Sequence, residues 1–372
     1  MSERMIERLL GAAAGDTAII SPDHVLVTNG SSHAVRGYVS KAAAPEKVLV
    51  MYDHNIPSGS PEDAKIFGEI LRFAKQYGFT FKQAKGIGLK YLADEIVKPG
   101  QIVITGTRHA GIFGASGAVG FGISSTELSR VIENDRYELI VPKTIGVKVT
   151  GTLPENTGMI DAALSFLAAH PDLKCKAVEF IGGDLSDHDK QVLCSMACET
   201  GAVTAFWTEE GETETVLDLA EVVPMLRMPC SDILHQTRAP FAPASYVEGR
   251  TIQAGQIGGV NGGAIEDLRI AADMIEGKKL KLRFRLTVCP ATSTDYILAA
   301  REGILTKFIE YGAQISAAGD HSIVKQGAGA MGHGELLFTT GMFTFAGCMG
   351  CDDATVATAS VETIIRASYG EI

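Results

Sequence analysis

The sequence predicts an α/β protein of parallel sheets flanked by helices, and three observations carry that prediction. Short runs rich in β-branched residues occur at 48–53 (VLVMYD) and 102–106 (IVITG). A longer amphipathic stretch from Pro61 to Tyr77 lies between them and reads as a helix. That strand–helix–strand rhythm gives a parallel sheet with helices on its faces. The third observation is length: 372 residues exceed what one hydrophobic core usually holds, so two or three compact units are expected.

Two shifts in composition divide the chain. Near Lys143 the segment 145–151 alternates like a strand and Pro154 follows; between Pro240 and Gly255 the chain is rich in Ala, Pro and Gly. The expected units are therefore 1–140, 141–246 and 247–372. Hydrophobic residues make up 46% and charged residues 21%, the balance of a globular protein rather than a disordered or fibrous one. A net charge of -11 with no concentrated Lys/Arg run argues against nucleic acid or an anionic membrane as the main partner. The amino terminus has charges at helical spacing in place of a signal peptide's apolar run, and no stretch approaches the ~18 apolar residues of a membrane span, so a cytoplasmic protein is expected. Seven cysteines, an odd number without framework spacing, point to reduced thiols. Cys348 and Cys351 form the one CxxC, and without a second pair they read as structural, with a metal half-site or a redox pair as the alternatives.

In a parallel sheet the functional loops leave the carboxyl ends of the strands. Tyr52-Asp53-His54-Asn55 ends one apolar run and Gly106-Thr107-Arg108-His109 ends another, so His54 and His109 are expected on one rim, facing one cleft. Asp53 beside His54 either caps a turn or tunes the imidazole for acid–base work. From Gly111 to Gly122 a small residue stands at nearly every second position. This reads as backbone packed on backbone; no acidic residue follows at the distance that a dinucleotide fingerprint requires.

Taken together, several segments resemble the large subunits of isopropylmalate isomerase and homoaconitase, shorter relatives of aconitase. They are AAAGD (12–16), YDHNIPS (52–58), 96–128, IGVKVTGTLP (145–154), KAVEFIGG (176–183), 290–313 and Gly334-Glu335. The resemblance runs over nearly the full length and implies the aconitase-like body of three α/β units, without the swivelling fourth domain. It also implies a hydro-lyase or isomerase acting on a small hydroxy carboxylic acid, and a separate small subunit as partner. The chain ends at Ile372 after an Ala-rich segment, 354–359, expected to be the last helix.

In that family a [4Fe–4S] cluster is held by three cysteines, because soft thiolates suit such clusters. The resemblance puts Val260, Asp320 and Ile323 at those positions, so no iron–sulfur cluster is expected. The family's substrate-binding arginines fall at Phe343 and Cys348, and a family histidine falls at Leu89. What the resemblance retains is Asp53, His54, His109 and Glu199, expected as catalytic residues; Asn29, Ser124, Arg108 (new beside the retained His109) and Lys325 (beside the vacated cluster space) are expected as substrate contacts. Asp320 and His321, with Glu199, are expected to offer a site for a single divalent metal (Fe, Mn or Mg) in place of the cluster, since carboxylate and imidazole suit such ions. The competing reading is a catalytically silent paralogue that binds a metabolite or partner subunit.

Overall fold

The computed structural model describes residues 4–230, 240–321, 323 and 325–372. Its first sheet has five parallel strands, in the spatial order Thr80–Lys82, Val48–Met51, His24–Thr28, Ile102–Thr105, Val119–Gly122. The strand Val48–Met51 is buried throughout, as a parallel strand covered on both faces must be. The connecting helix spans Pro61–Tyr77: Ser60 accepts a hydrogen bond from the Asp63 N–H, Pro61 opens the first turn, and Gly78 ends it in the left-handed conformation.

A second sheet of four parallel strands runs Thr204–Thr208, Lys176–Ile181, Lys143–Thr150, Thr215–Asp218. The third sheet has seven strands. Its parallel part runs Thr355–Thr358, Leu336–Thr339, Ala254–Ile257, Arg285–Val288, Gln314–Ile315, and two antiparallel strands, Met225–Arg227 and Phe241–Pro243, extend its edge. These two edge strands precede the division expected at 247. The Ala-rich segment expected as the last helix is instead the strand Thr355–Thr358, and the last helix is Val361–Tyr369. Its alternation of Thr with Val and Ala, bounded on both sides by other apolar residues, suits a buried parallel strand; alanine content alone pointed the wrong way.

In the first sheet the strand order reverses between His24–Thr28 and Ile102–Thr105; in the third it reverses between Ala254–Ile257 and Leu336–Thr339. At such a reversal the loops on either side part, leaving a crevice at the carboxyl ends of the strands. The two crevices face each other. Their walls are stitched by backbone hydrogen bonds, Asp320 N–H to the Asp53 carbonyl at 2.7 Å and Ile87 N–H to the Ala291 carbonyl at 2.9 Å. Beneath them a shared apolar cluster joins Leu26, Leu49 and Leu92 of the first unit to Val260 and Ala291. Among the described residues no helix is long and apolar enough to cross a membrane.

Candidate active site

A cavity of about 470 Å3 lies where the two crevices meet. From the first sheet come Thr28, Gly30 and Ser31 after one strand, Asp53 and His54 after the next, and Gly106, Thr107, Arg108 and His109 after a third. The facing side is made by Val260, Asp320, Ile323 and Phe343, with Ile87 and Leu89 between. Both histidines expected on one rim thus share one space.

Asp53 is buried and holds His54 from behind: His54 Nδ1–H donates to Asp53 Oδ1 at 2.7 Å, and Gly88 N–H donates to Asp53 Oδ2 at 3.0 Å. The other ring nitrogen, Nε2, lies 3.8 Å from Asp320 Oδ2. Burial pulls the His54 imidazole down, but the carboxylates of Asp53 and Asp320 overcome it and raise it from the ordinary 6.5 to about 9. Gly30 leaves room for this ring, since a Cβ there would collide with the imidazole.

His109 stands at the start of the 3-10 turn Arg108–Ser116, buried, with Nε2 at 3.2 Å from Glu199 Oε1 and its ring beside Phe343. The far oxygen of Glu199 accepts from Arg227 Nη2 at 3.2 Å, and Arg227 Nη1 donates to the Met342 carbonyl at 2.7 Å. Burial would raise the Glu199 carboxyl, yet the hydrogen bond from His109 and the charge of Arg227 hold it down at about 2. Glu199 does not line the cavity; it orients His109 from behind, as Asp53 orients His54.

Other expected residues are placed differently. Asn29 does not line the cavity: its Oδ1 accepts from the N–H groups of Asp53 and His54 at 2.8 and 3.0 Å, and its Nδ2 donates to the His54 carbonyl at 3.0 Å. Its amide is committed to the loop that carries His54. Ser124 is the N-cap of the helix Ser125–Asn134, exchanging hydrogen bonds with Glu127 in a capping box, and lies off the cavity. Lys325 is exposed, 4.0 Å from Asp352, and also off the cavity. Arg108 does line it, exposed at the rim.

The three-residue metal site is not assembled. Asp320 faces His54, Glu199 is engaged by His109 and Arg227, and the His321 ring is turned to the Ala317 carbonyl (3.1 Å) and the Ser316 hydroxyl (3.3 Å). Among the described residues their donor atoms do not converge on a common point. Burial lowers the His321 pKa, leaving that ring a neutral structural group.

Sequence reasoning missed Arg227, which carried one signal, a single charge inside the apolar run 222–228. It also missed Thr28 and Ser31, which follow the central strand and have no distinctive pattern.

Residues 16–224, more than half of the chain, match the aconitase family (aconitate hydratase). The homoaconitase large subunit of Thermus thermophilus is 27% identical over 97% of this chain and 93% of its own length. The 3-isopropylmalate dehydratase large subunit of Pyrococcus horikoshii is 26% identical over 99% of this chain and 98% of its own. The crystal structure of aconitase X from Thermococcus kodakaraensis (holo-form) shares the fold, with a TM-score of 0.60 at 13% identity over 98% of this chain and 96% of that one. A family match over most of the first two sheets, full-length relatives and a shared fold agree: the chain belongs to the aconitase family and is a lyase of the hydro-lyase type.

Proposed function

We propose that this chain dehydrates, hydrates or isomerises a small hydroxy carboxylic acid in the cavity between its first and third sheets, without a thiolate-held iron–sulfur cluster. One observation carries this reading. Val260, Asp320 and Ile323, the positions the resemblance gives to cluster cysteines, all line the cavity that holds His54 and His109, and among the described residues no cysteine lines it. Cys289 is buried and is not among the residues that line the cavity.

Elimination of water needs a base for the carbon-bound proton, an acid for the departing hydroxyl and a cation for the carboxylate. His54 supplies the acid. With its pKa near 9 the ring is an imidazolium at neutral pH, Asp53 fixes Nδ1–H, and Nε2–H is directed toward Asp320 and the cavity. His109 supplies the base. The ionised Glu199 accepts from Nε2–H, which leaves Nδ1 as the nitrogen that takes the proton. Arg108 at the rim pairs with the carboxylate. Hydration reverses the two proton transfers. Ile87, Leu89, Val260, Ile323 and Phe343 form an apolar wall, which suits a substrate with an apolar substituent better than one with several carboxylates.

The two relatives compared above are named large subunits, and we propose a separate small subunit as partner here as well. The test is turnover of hydroxy acids bearing apolar substituents by untagged, chelator-treated protein, with and without a candidate small subunit added. Formation of the unsaturated acid is followed by ultraviolet absorbance. Turnover without iron, reduced about 10²–10⁴-fold by His54→Gln, is expected. Turnover that appears only with iron and a thiolate-bound chromophore overturns the cluster-free reading. A hydroxy acid that binds but never turns over overturns the substrate class proposed here.

A further inference from the structure

Apart from the residues lining the cavity, a surface loop pair gathers three metal-binding side chains of different kinds. His333, Cys351 and Asp353 each direct a donor atom to within 4.8 Å of the others, and among the described residues no other three His, Cys, Asp or Glu side chains do so. The imidazole Nδ1 of His333 lies 3.2 Å from Asp353 Oδ1.

The backbone holds this arrangement. Met331 and Gly350 form a parallel bridge, with Met331 N–H donating to the Met349 carbonyl at 3.1 Å and Cys351 N–H to the Met331 carbonyl at 3.0 Å. Gly350 has a φ of 95°, and a Cβ on it would run into the backbone of Met331, so only glycine permits this approach. Gly332-His333-Gly334-Glu335 makes a turn whose Gly332 N–H donates to Glu335 Oε2 at 2.7 Å. Glu335 is in turn gripped by both terminal nitrogens of Arg285, at 2.9 and 2.6 Å. His333 therefore sits on an anchored turn opposite a pinned Cys351, with Asp353 two residues further on.

The partner of Cys351 in the CxxC does not contribute. Cys348 is fully buried and burial raises its pKa, while Cys351 is partly exposed, and both are free thiols. Burial keeps the Cys348 sulfur out of the surface group. It leaves Cys351 facing a histidine and a carboxylate.

We propose that His333, Cys351 and Asp353 form a binding site for one borderline divalent cation of the Zn2+ class. Imidazole nitrogen, thiolate and carboxylate oxygen together match the ligand set of tetrahedral zinc, and three protein donors leave the fourth position to water or to a donor from another molecule. Mg2+ and Ca2+, which prefer all-oxygen shells, are poorly matched. A bound ion would tie the turn at 332–335 to the loop at 347–354. The site lies outside the cavity described above and does not depend on the reaction proposed there.

The test uses the untagged full chain, stripped with chelator and titrated with Co2+ and then Zn2+. One Co2+ per chain is expected, with a near-ultraviolet thiolate-to-cobalt band that Zn2+ displaces. Cys351→Ser abolishes the band. His333→Ala, an exposed substitution that leaves the fold intact, weakens binding by about tenfold or more, at least the loss that removing a mere outer-shell partner causes. Asp320→Asn leaves the titration unchanged. A wild-type chain that shows no thiolate-to-cobalt band overturns the proposal, as does a band that persists in Cys351→Ser. Zinc uptake unaffected by His333→Ala does the same.

Discussion

Between Asp53 and Asp320 the His54 imidazole keeps a proton that it would release near pH 6.5 in an unfolded chain, its pKa rising to about 9. Because the folded value lies above the unfolded one, the native state binds the extra proton, and the stabilisation is complete below about 6.5 and fades as pH rises through about 9. Unfolding by denaturant at the two ends of that window measures it: wild type loses more stability across the window than His54→Gln. Parallel losses would mean that the carboxylates do not act on this ring. The same proton defines the alkaline limb of kcat/KM if His54 is the acid, and Asp53→Asn, by removing the anion on Nδ1, moves that limb to lower pH. Glu199 is the mirror case, a carboxyl held at about 2, whose stabilisation is present above its ordinary 4.5 and is lost only as pH falls through 2. Glu199→Gln removes one ion-pair partner of the buried Arg227, and breaking such a pair from one side typically costs ~3–5 kcal/mol. Equilibrium unfolding at neutral pH checks the figure, and a cost below ~1 kcal/mol would show the pair to be far better hydrated than its burial implies.

The small-residue stretch from Gly111 to Gly122 shows what an element's sequence can and cannot reveal. Alternating small residues predict backbone against backbone, and the 3-10 turn Arg108–Ser116 does pack on the helix Asp187–Ala197 and the strand Thr204–Thr208. A Cβ at Gly114 would meet the Ala205 carbonyl, and one at Gly111 the Cys194 carbonyl, neither of which a flexible side chain could relieve. Gly114→Ala is therefore expected to destabilise by about 1–3 kcal/mol or more, by overpacking, whereas Gly37→Ala, with open space around it, stays within about 0.5 kcal/mol of wild type. Differential scanning calorimetry of the two variants separates close packing from a general penalty for losing glycine. The partner surfaces, however, lie some 80 or more residues away, and nothing in a glycine pattern names them. The helix Pro61–Tyr77 was legible to the residue because its caps are local, at Ser60 and Gly78. The strand Thr355–Thr358 was not, because its neighbours in the sheet, not its own alanines, decide its conformation. Asn29 and Ser124 lie off the cavity for a related reason: a polar side chain at a loop serves the backbone as readily as a ligand, and sequence does not say which way it turns.

At the scale of the whole molecule, the cavity exists because two sheets with the same order of strands present their reversal points to each other, and no single unit could enclose it. His54 and His109 come from one side, Asp320 and Phe343 from the other, and the hydrogen bond from Asp320 N–H to the Asp53 carbonyl closes the seam directly behind the acid. That the two histidines share a rim followed from parallel-sheet geometry alone. That Asp320 faces one of them required the third sheet to dock, which no local pattern encodes. A carboxylic acid bound here contacts both sides and should stabilise them together. At a concentration a hundredfold above its Kd, a ligand that binds only the folded chain adds about 2.7 kcal/mol. Arg108 is exposed at the rim, so Arg108→Ala should leave the unliganded chain's unfolding temperature unchanged while removing most of the ligand-induced rise. Thermal unfolding of both proteins over a series of acid concentrations reads this out. If the rise survives in Arg108→Ala, the carboxylate is held elsewhere. If the unliganded variant itself melts early, Arg108 supports the Glu199 charge rather than the substrate, and the cavity must grip its acid through His54 and backbone N–H groups alone.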